Sequence, residues 1–501
     1  MSATAPVHAR RRSASDTGTA EAARALAAVR LIADQAFSRA AGAPLVPGNA
    51  VRILKDGAEN YPAWLSAMAA AREHVHFECY ILHDDDVGHR FAEALIAAAG
   101  RGVRVRVVYD WLGALGKTRR RFWRHLRDHG VEVRMFNPPR FDHPMGWLAR
   151  NHRKSLVVDG TIAFVTGLCV GKAWEGWPER GLPGWRDTGV EVRGPAVADV
   201  GRAFAEAWAA CGEPLPEGER GRAAPPPEGE VGLRVVATTS GTAGLYRLDP
   251  LVAALARSTL WLTDAYYAGT PAYVQALRAA ARDGVDVRLL VPGRGSDIAI
   301  VQTISRAGYR PLLDAGVRVF EWNGPMLHAK TAVADARWSR VGSTNLNPAS
   351  WMGNWELDVV VEDEPFGHAM EAMYADDLTN ATEIVLERRR RVRPAGEARI
   401  PRRRGGGGGA SRAAAGALRF GNALGTAMSA RHITGMAERR LMAQGGSILV
   451  LLAAVAFFWP PALAWPLGAL VLWLGISLLL RAARLRPAGE GGAADGPVPK
   501  A

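Results

Sequence analysis

The sequence predicts an α/β protein made of two similar halves, each holding a mixed, mostly parallel sheet flanked by helices, and three observations point there. Segments recur: "RGVRVRVVYD" (101–110) is matched by "DGVDVRLLVP" (283–292), "HGVEVRMFNP" (129–138) by "AGVRVFEWNG" (315–324), and "HFECYI" (76–81) by "LTDAYY" (262–267). Self-similarity at a long, nearly constant offset marks a duplicated unit. Each half also reads apolar strand, amphipathic helix, strand, helix, strand, an alternation that builds parallel sheets covered by helices. Finally, a polar pattern, His-x-Lys-x4-Asp, closes each series: once in "NHRKSLVVDG" (151–160) and again, 176 residues later, in "LHAKTAVADA" (327–336).

Residues 1–45 contain "HARRRSAS" and no long apolar run, so no cleavable signal peptide is expected, and the helical pattern from Ala20 to Arg39 reads as a surface or tethering helix. The first half is expected over 46–213. In it "GHRFAEALIAAAGRG" has helical spacing with a glycine stop, and the Val/Arg alternation that follows is strand-like. Residues 214–230, rich in Pro, Gly and charge, form a linker, and the second half runs over 231–387. A basic segment at 388–440 precedes 36 residues without charge, Gly445 to Leu480, and a tail at 481–501.

The uncharged run reads as a membrane segment broken at Pro460 and Pro461, because proline ends a helix. Its arms, Gly446–Trp459 and Ala462–Leu480, have 14 and 19 residues. At about 1.5 Å per residue the first reaches only about 21 Å, short of a hydrocarbon core of about 30 Å. A hairpin is expected, re-entrant or of two thin spans. Arginines flank both ends (Arg439 and Arg440, then Arg481, Arg484 and Arg486), which puts both ends on the cytoplasmic side.

The net charge of +13 is unevenly spread. Residues 46–387 carry 38 Lys and Arg against 42 Asp and Glu, which is −4, whereas residues 388–440 carry 14 Arg against 2 Glu, which is +12. A phosphate-backbone binder needs a basic track on its folded body, so nucleic acid is not an expected partner. A polybasic segment beside a membrane run suits an anionic lipid surface instead. Three cysteines, Cys79, Cys169 and Cys211, form neither a disulfide framework nor a metal-spaced cluster, so a metal-free, cytosol-facing body is expected.

Alternate residues of a strand face the same way, so His152 projects beside Lys154 and His328 beside Lys330. A neutral imidazole serves as nucleophile or proton carrier, and an ammonium two residues away stabilises developing negative charge. That pairing suits a phosphoryl group. In the first copy "DG" at 159–160 also suits a tight hairpin turn, whereas the second copy lacks the glycine, so turn chemistry alone does not account for Asp335.

With both copies in matching places and "VGSTN" (341–345) after the second, the chain resembles the phospholipase D superfamily over about residues 46–387, and within it the bacterial cardiolipin synthases. The stretches "YILHDDDVGHRFAEAL", "VYDWLG", "FNP", "WRDTGVEVRGPAVADV", "GSTNLNPASW" and "NWELDVVVED" support that narrower likeness. The resemblance implies two halves packed with pseudo-two-fold symmetry, so that His152, Lys154 and Asp159 share one cleft with His328, Lys330 and Asp335. One histidine, His152 by family precedent, attacks a phosphodiester to form a phosphohistidine. The other protonates the leaving alkoxide and then deprotonates the acceptor alcohol. By position in the family pattern, Asp187 would orient His152 and Glu356 would orient His328. Ser343 and Asn345 would add hydrogen bonds to the phosphoryl oxygens, while Asp159 and Asp335 would organise loops and lysines. No metal or other cofactor is implied.

One departure stands out: "TGLC" follows the first motif, putting Cys169 where Asn is expected and Thr166 where Gly is common, with the Thr166 hydroxyl as a substitute donor. "YDWLG" and the tryptophans Trp147, Trp174, Trp177 and Trp185 are candidates for lining a lipid entry, although core packing accounts for most tryptophans, and "DHPMGW" (142–147) is a candidate loop over the cleft. The resemblance implies a phosphatidyltransferase of the bacterial inner membrane, its catalytic domain cytoplasmic. It would make cardiolipin from phosphatidylglycerol with a second phosphatidylglycerol or another phospholipid such as phosphatidylethanolamine. The alternative with the same chemistry is a phospholipase D using water as acceptor. A nuclease and a non-catalytic membrane adaptor are further alternatives, the first opposed by the −4 charge and the second by the intact His-Lys pairs.

Overall fold

The computed structural model describes residues 34–139, 149–220, 223–385 and scattered positions within 450–476. The chain forms two compact units, Met1–Ala430 and Arg431–Ala501. In the first unit the first half contributes β1 (Val46–Lys55), α1 (Asp56–Ala70), β2 (His74–Cys79), α2 (Asp86–Gly100), β3 (Arg104–Asp110), α3 (Arg120–Asp128), β4 (Glu132–Phe136), β5 (Ser155–Val158), β6 (Ile162–Thr166), β7 (Thr188–Arg193) and α4 (Val197–Ala210). The second half contributes β8 (Val231–Thr238), α5 (Gly244–Leu255), β9 (Thr259–Thr263), α6 (Pro271–Arg282), β10 (Asp286–Pro292), α7 (Ala299–Leu313), β11 (Arg318–Trp322), β12 (Thr331–Ala334), β13 (Trp338–Gly342), β14 (Glu356–Glu362), α8 (Glu364–Thr379) and β15 (Ala381–Ile384).

Local sequence explains these elements. In α2 the residues Val87, Phe91, Leu95 and Ala98 recur at helical spacing and are buried, while the Asp85 carboxylate caps the start by accepting from the Gly88 N–H. Strand β2 is buried along its whole length, as expected for a strand covered on both faces.

The strands form one sheet of 15 in the order β15-β11-β10-β9-β12-β13-β14-β8-β1-β7-β6-β5-β2-β3-β4. Read outward from the antiparallel β8–β1 pair, six strands follow in the same order on each side (β14-β13-β12-β9-β10-β11 and β7-β6-β5-β2-β3-β4), so the duplication is written into the topology, and β15 is added at the edge of the second half alone. The sheet is less parallel than expected. Only β2–β3–β4 and β9–β10–β11 pair in parallel, and the remaining pairings are antiparallel. The reason is local: the strand after each His-x-Lys segment turns back at once through three residues, 159–161 or 335–337, and so short a turn can join only antiparallel neighbours.

Those turns also account for the two motif aspartates. Asp159 and Gly160 have φ of 54° and 67°, and Asp335 and Ala336 have 51° and 50°, so the second copy makes the same left-handed turn without its glycine. The Asp159 carboxylate accepts the N–H groups of Arg72, Glu73 and His74 at 2.8–2.9 Å, and Asp335 accepts those of Arg257, Ser258 and Thr259 at 2.7–2.9 Å. Turn and amide cradle together explain Asp335, which the sequence left unexplained.

Among the described residues apolar packing forms five clusters, three of them large. One cluster lies in the first half around Trp64, Phe77, Phe91 and Phe164, and one in the second around Leu262, Tyr267, Tyr273 and Trp351. A third draws Val165 and Val190 together with Val235, Val341 and Val359, so it belongs to both halves and fixes them as one body. Residues 34–41 are helical, and Phe37, Ala40 and Ala41 pack on the second-half core while Asp34 and Ser38 meet the buried Arg234. The inter-repeat linker is pinned as well: Glu219 pairs with Arg104 and Arg106.

In the second unit, helical positions flank the non-helical Trp459, and among the described residues no helix is long and apolar enough to cross a membrane. The basic segment 388–440 and the loop 142–147, with Trp147, lie outside the described residues.

Replacing Asp159 or Asp335 by Ala should lower stability by about 1–3 kcal/mol in urea unfolding, because three amides lose their acceptor, while kcat stays within about threefold of wild type. A collapse of kcat at unchanged stability would return these residues to the catalytic group.

Candidate active site

Both His-x-Lys segments sit just ahead of a hairpin strand, β5 or β12, and each runs alongside a segment from the opposite half. His152 N–H donates to the Trp355 carbonyl at 2.9 Å, and Trp355 N–H to the Arg150 carbonyl at 2.8 Å. Reciprocally, His328 N–H donates to the Arg186 carbonyl at 2.7 Å, and Arg186 N–H to the Met326 carbonyl at 2.9 Å. The two crossings obey the same symmetry as the sheet.

This exchange decides the carboxylate partners, and it corrects the expected assignment. His152 Nδ1 lies 2.9 Å from Glu356 Oε2, and His328 Nδ1 lies 2.7 Å from Asp187 Oδ2. Each carboxylate therefore orients the histidine of the other half. The physical reason is that each acid directly follows the residue whose carbonyl receives the opposite histidine's N–H. Because a carboxylate can only accept, Nδ1 carries the proton in both rings and Nε2 keeps its lone pair for chemistry.

The carboxylates are themselves held. Glu356 Oε2 accepts the Ser343 hydroxyl at 2.6 Å, and Oε1 accepts the Asn354 amide at 3.3 Å. Asp187 accepts the Trp174 indole N–H at 3.2 Å and the Thr188 N–H at 2.8 Å. Behind it Arg186 is buried in a two-point pair with Asp377 at 2.7 and 2.8 Å, and Asp56 accepts both Arg186, at 3.1 Å, and the Asp187 N–H, at 2.8 Å.

Burial and charge set the protonation states. Burial pushes His152 below its usual value, with the Lys154 ammonium adding to it and Glu356 opposing. For His328 burial and then the Lys330 ammonium outweigh Asp187 and bring it to about 3. Both rings are thus neutral near pH 7. Burial, opposed by Asp187 and reinforced by Lys154, lowers Lys330 to about 8. Asp187 and Glu356 stay below the ordinary carboxylate range despite burial, because each faces its histidine and a lysine. Lys330 acts on His152 and Lys154 acts on His328, so all four groups share one site.

The supporting residues are placed differently from expectation. The Ser343 hydroxyl is committed to Glu356 and accepts the Leu357 N–H at 2.9 Å, so it holds a carboxylate instead of a phosphoryl oxygen. The Asn345 amide donates to Ser350 at 3.4 Å. Thr166 is fully buried, its hydroxyl donating to the Thr188 carbonyl and accepting from Leu168, so it is no substitute donor into the cleft. Asp159 and Asp335 lie at the far ends of β5 and β12, organising loops but not the lysines. Cys169 is buried beside Cys79; burial resists its ionisation, but the Cys79 thiol and the Lys154 ammonium outweigh that and bring it to about 7. Trp174 is buried and, with the half-buried Trp185, stands beside His328 at ring distances of 5.5 and 5.7 Å. Sequence reasoning missed Tyr80, Tyr266, Arg186, Asp56 and Asp377; the first two sit in the recurring pair "HFECYI" and "LTDAYY", which was the available signal.

With this geometry in view, comparison with known proteins is direct. A family described as "Cardiolipin synthase, PLD-like domain" matches residues 64–172 and 253–378, one span in each half. A cardiolipin synthase A of Pseudomonas aeruginosa is 35% identical over 370 residues, 72% of this chain and 73% of that protein. The chain belongs to the cardiolipin synthase family of phospholipase D-like proteins. A second relative, the cardiolipin synthase of Alkalihalophilus pseudofirmus, is 32% identical over 348 residues, 68% of each chain. Among solved structures, phosphatidylserine synthase of Haemophilus influenzae overlays with a TM-score of 0.57 at 13% identity, covering 70% of this chain and 91% of that one, which marks a shared fold. In this cardiolipin synthase family member both matched spans contain a His-Lys pair and neither contains the whole site, since Asp187 lies between the spans.

Asp187→Asn and Glu356→Gln should each lower kcat by about 10²- to 10⁴-fold through loss of the oriented tautomer. In histidine-labelled protein the Nδ1–H signal of His328 should shift only in the first variant and that of His152 only in the second; the reverse pattern would refute the crossed pairing. The kcat/KM profile should fall on the alkaline side near pH 8, as Lys330 loses its charge, and on the acid side below pH 6.5, as His152 gains a proton. An alkaline limb that persists unchanged in Lys330→Arg would assign it to another group.

Proposed function

We propose that this chain is a membrane-bound phosphatidyltransferase that makes cardiolipin from phosphatidylglycerol through a phosphohistidine. One observation carries the reading: two neutral histidines, each held by a carboxylate of the opposite half, share one site with two lysines. One imidazole, which the family pattern assigns to His152, attacks the phosphorus through Nε2. The other imidazole takes a proton from water as the phosphodiester anion binds beside it; the phosphorus–oxygen bond to the headgroup glycerol then breaks, and this ring gives that proton to the departing alkoxide. The resulting neutral ring then takes the proton of the second lipid's terminal hydroxyl. That oxygen attacks phosphorus, the phosphorus–nitrogen bond breaks, and cardiolipin leaves. Glycerol is the other product, so two phosphatidylglycerols balance.

Lys154 and Lys330 neutralise the non-bridging oxygens in a buried site, where such charges act strongly. Asp187 and Glu356 stabilise whichever ring is charged. The acceptor lipid is phosphatidylglycerol; phosphatidylethanolamine has no headgroup hydroxyl and substitutes only as the donor, with ethanolamine leaving in place of glycerol. The basic segment 388–440 and the apolar run 445–480 hold the cleft against the anionic cytoplasmic face of a bacterial inner membrane.

The test is the full chain in detergent, given phosphatidylglycerol with and without phosphatidylethanolamine, with lipid products read by mass spectrometry. Cardiolipin plus glycerol is expected, lost in both His152→Ala and His328→Ala. Phosphatidic acid in place of cardiolipin would mean that water is the acceptor. Peptide mapping after a rapid quench should find the phosphoryl group on His152.

A further inference from the structure

The recurring pair "HFECYI" and "LTDAYY" places a carboxylate and a tyrosine, two residues apart, at the end of β2 and of β9. These strands are the direct neighbours of the His-x-Lys strands: Glu78 pairs in register with Ser155, and Thr263 with Thr331. The acids brace the chain around the site, Glu78 on the His-x-Lys segment itself and Asp264 on the loop beside it. Glu78 accepts the Asn151 amide at 2.7 Å and the Ser155 hydroxyl at 3.3 Å, bracketing His152 and Lys154 on both sides. Asp264 accepts the N–H groups of Tyr266, at 3.0 Å, and Leu346, at 2.7 Å, which fixes the loop after Ser343.

The tyrosines then face the chemistry. The Tyr80 ring stands 4.9 Å from the His152 ring at 67°, and Lys154 Nζ lies 5.2 Å from its centre. The Tyr266 ring stands 5.8 Å from the His328 ring at 80°, and Lys330 Nζ lies 5.8 Å from its centre. Each lysine also donates to the carbonyl of the histidine two residues before it. The hydroxyl is not the shared feature, since that of Tyr266 is spent on Asp297 at 3.0 Å. What both copies share is an electron-rich ring face against a lysine and an edge-to-face contact with a histidine.

We propose that Tyr80 and Tyr266 are positioning residues whose ring faces hold the Lys154 and Lys330 ammonium groups in place for the phosphoryl oxygens. A cation within about 6 Å of a ring centre is attracted by the ring quadrupole, more so when water is excluded. Burial keeps both phenols protonated, so the interaction is with a neutral ring. The acid-x-Tyr tripeptide is then a second duplicated element of the site, one that fixes the lysine as the crossed carboxylate fixes the histidine. The inference rests on the reading that the His-Lys pairs carry phosphatidyl transfer.

Tyr80→Phe, Tyr80→Leu, Tyr266→Phe and Tyr266→Leu in the full chain test it, beside wild type and His152→Ala. The phenylalanine variants should keep kcat within about twofold, and the leucine variants should lose roughly five- to thirtyfold in kcat with KM little changed. Tyr266→Leu should also move the alkaline limb to lower pH, because the Lys330 ammonium loses its ring, a shift that a merely structural role would not cause. Binding of inorganic phosphate, measured by calorimetry, supplies a readout independent of turnover: weaker in the leucine variants, unchanged in the phenylalanine ones. Phenylalanine variants as damaged as leucine ones would overturn the proposal in favour of the hydroxyl, and leucine variants equal to wild type in both readouts would overturn it outright. If wild type and His152→Ala gave the same lipid products, the transfer reading itself would fail, and phosphate binding would still decide the role of the rings.

Discussion

The reciprocal exchange of backbone and carboxylate partners between the two halves, each His-x-Lys segment meeting the carboxylate segment of the other, is the constraint on which the site depends. A histidine of one half gives its main-chain N–H to a residue of the other half, and the next residue's carboxylate then takes its Nδ1–H. One backbone contact thus fixes both where the ring stands and which nitrogen is free. The sheet serves this arrangement: the central β8–β1 pair and the shared valine cluster hold the halves in the register that the exchange needs.

The symmetry stops short of equality. Asp187 is backed by an indole, an arginine and two further carboxylates, whereas Glu356 leans on a hydroxyl and an amide. His328 has Trp174, Trp185 and Tyr266 around it, and His152 has Tyr80. Lowering of His328 to about 3 fits that more enclosed setting. A two-step transfer asks different things of two imidazoles, and unequal surroundings are a physical route to unequal duties.

Much of this was legible in the sequence, and the limits are instructive. The duplication, the two His-Lys pairs and the nearness of Asp187 and Glu356 to the histidines could all be read from periodicity, spacing and family likeness. The crossing could not, because a linear pattern names a carboxylate without saying which half it faces. The "DG" at 159–160 announces a hairpin, which makes its two strands antiparallel within the sheet, and Ala336 hides the equivalent turn in the second copy. Ser343 looked like an oxyanion donor because it follows the motif; only its 2.6 Å bond to Glu356 reveals where the hydroxyl points. Thr166 and Cys169 were legible as a departure, but their burial was not.

The crossed carboxylates also bear on how such a chain can change over time. A substitution at Asp187 is made in the first repeat and felt by the second, and one at Glu356 is felt by the first. Neither repeat can drift into an independent unit, because each has lent the other a part it cannot replace. Two copies that began as equals are thereby free to specialise, as Cys169 and the tryptophans around His328 suggest, while remaining bound to a common fate.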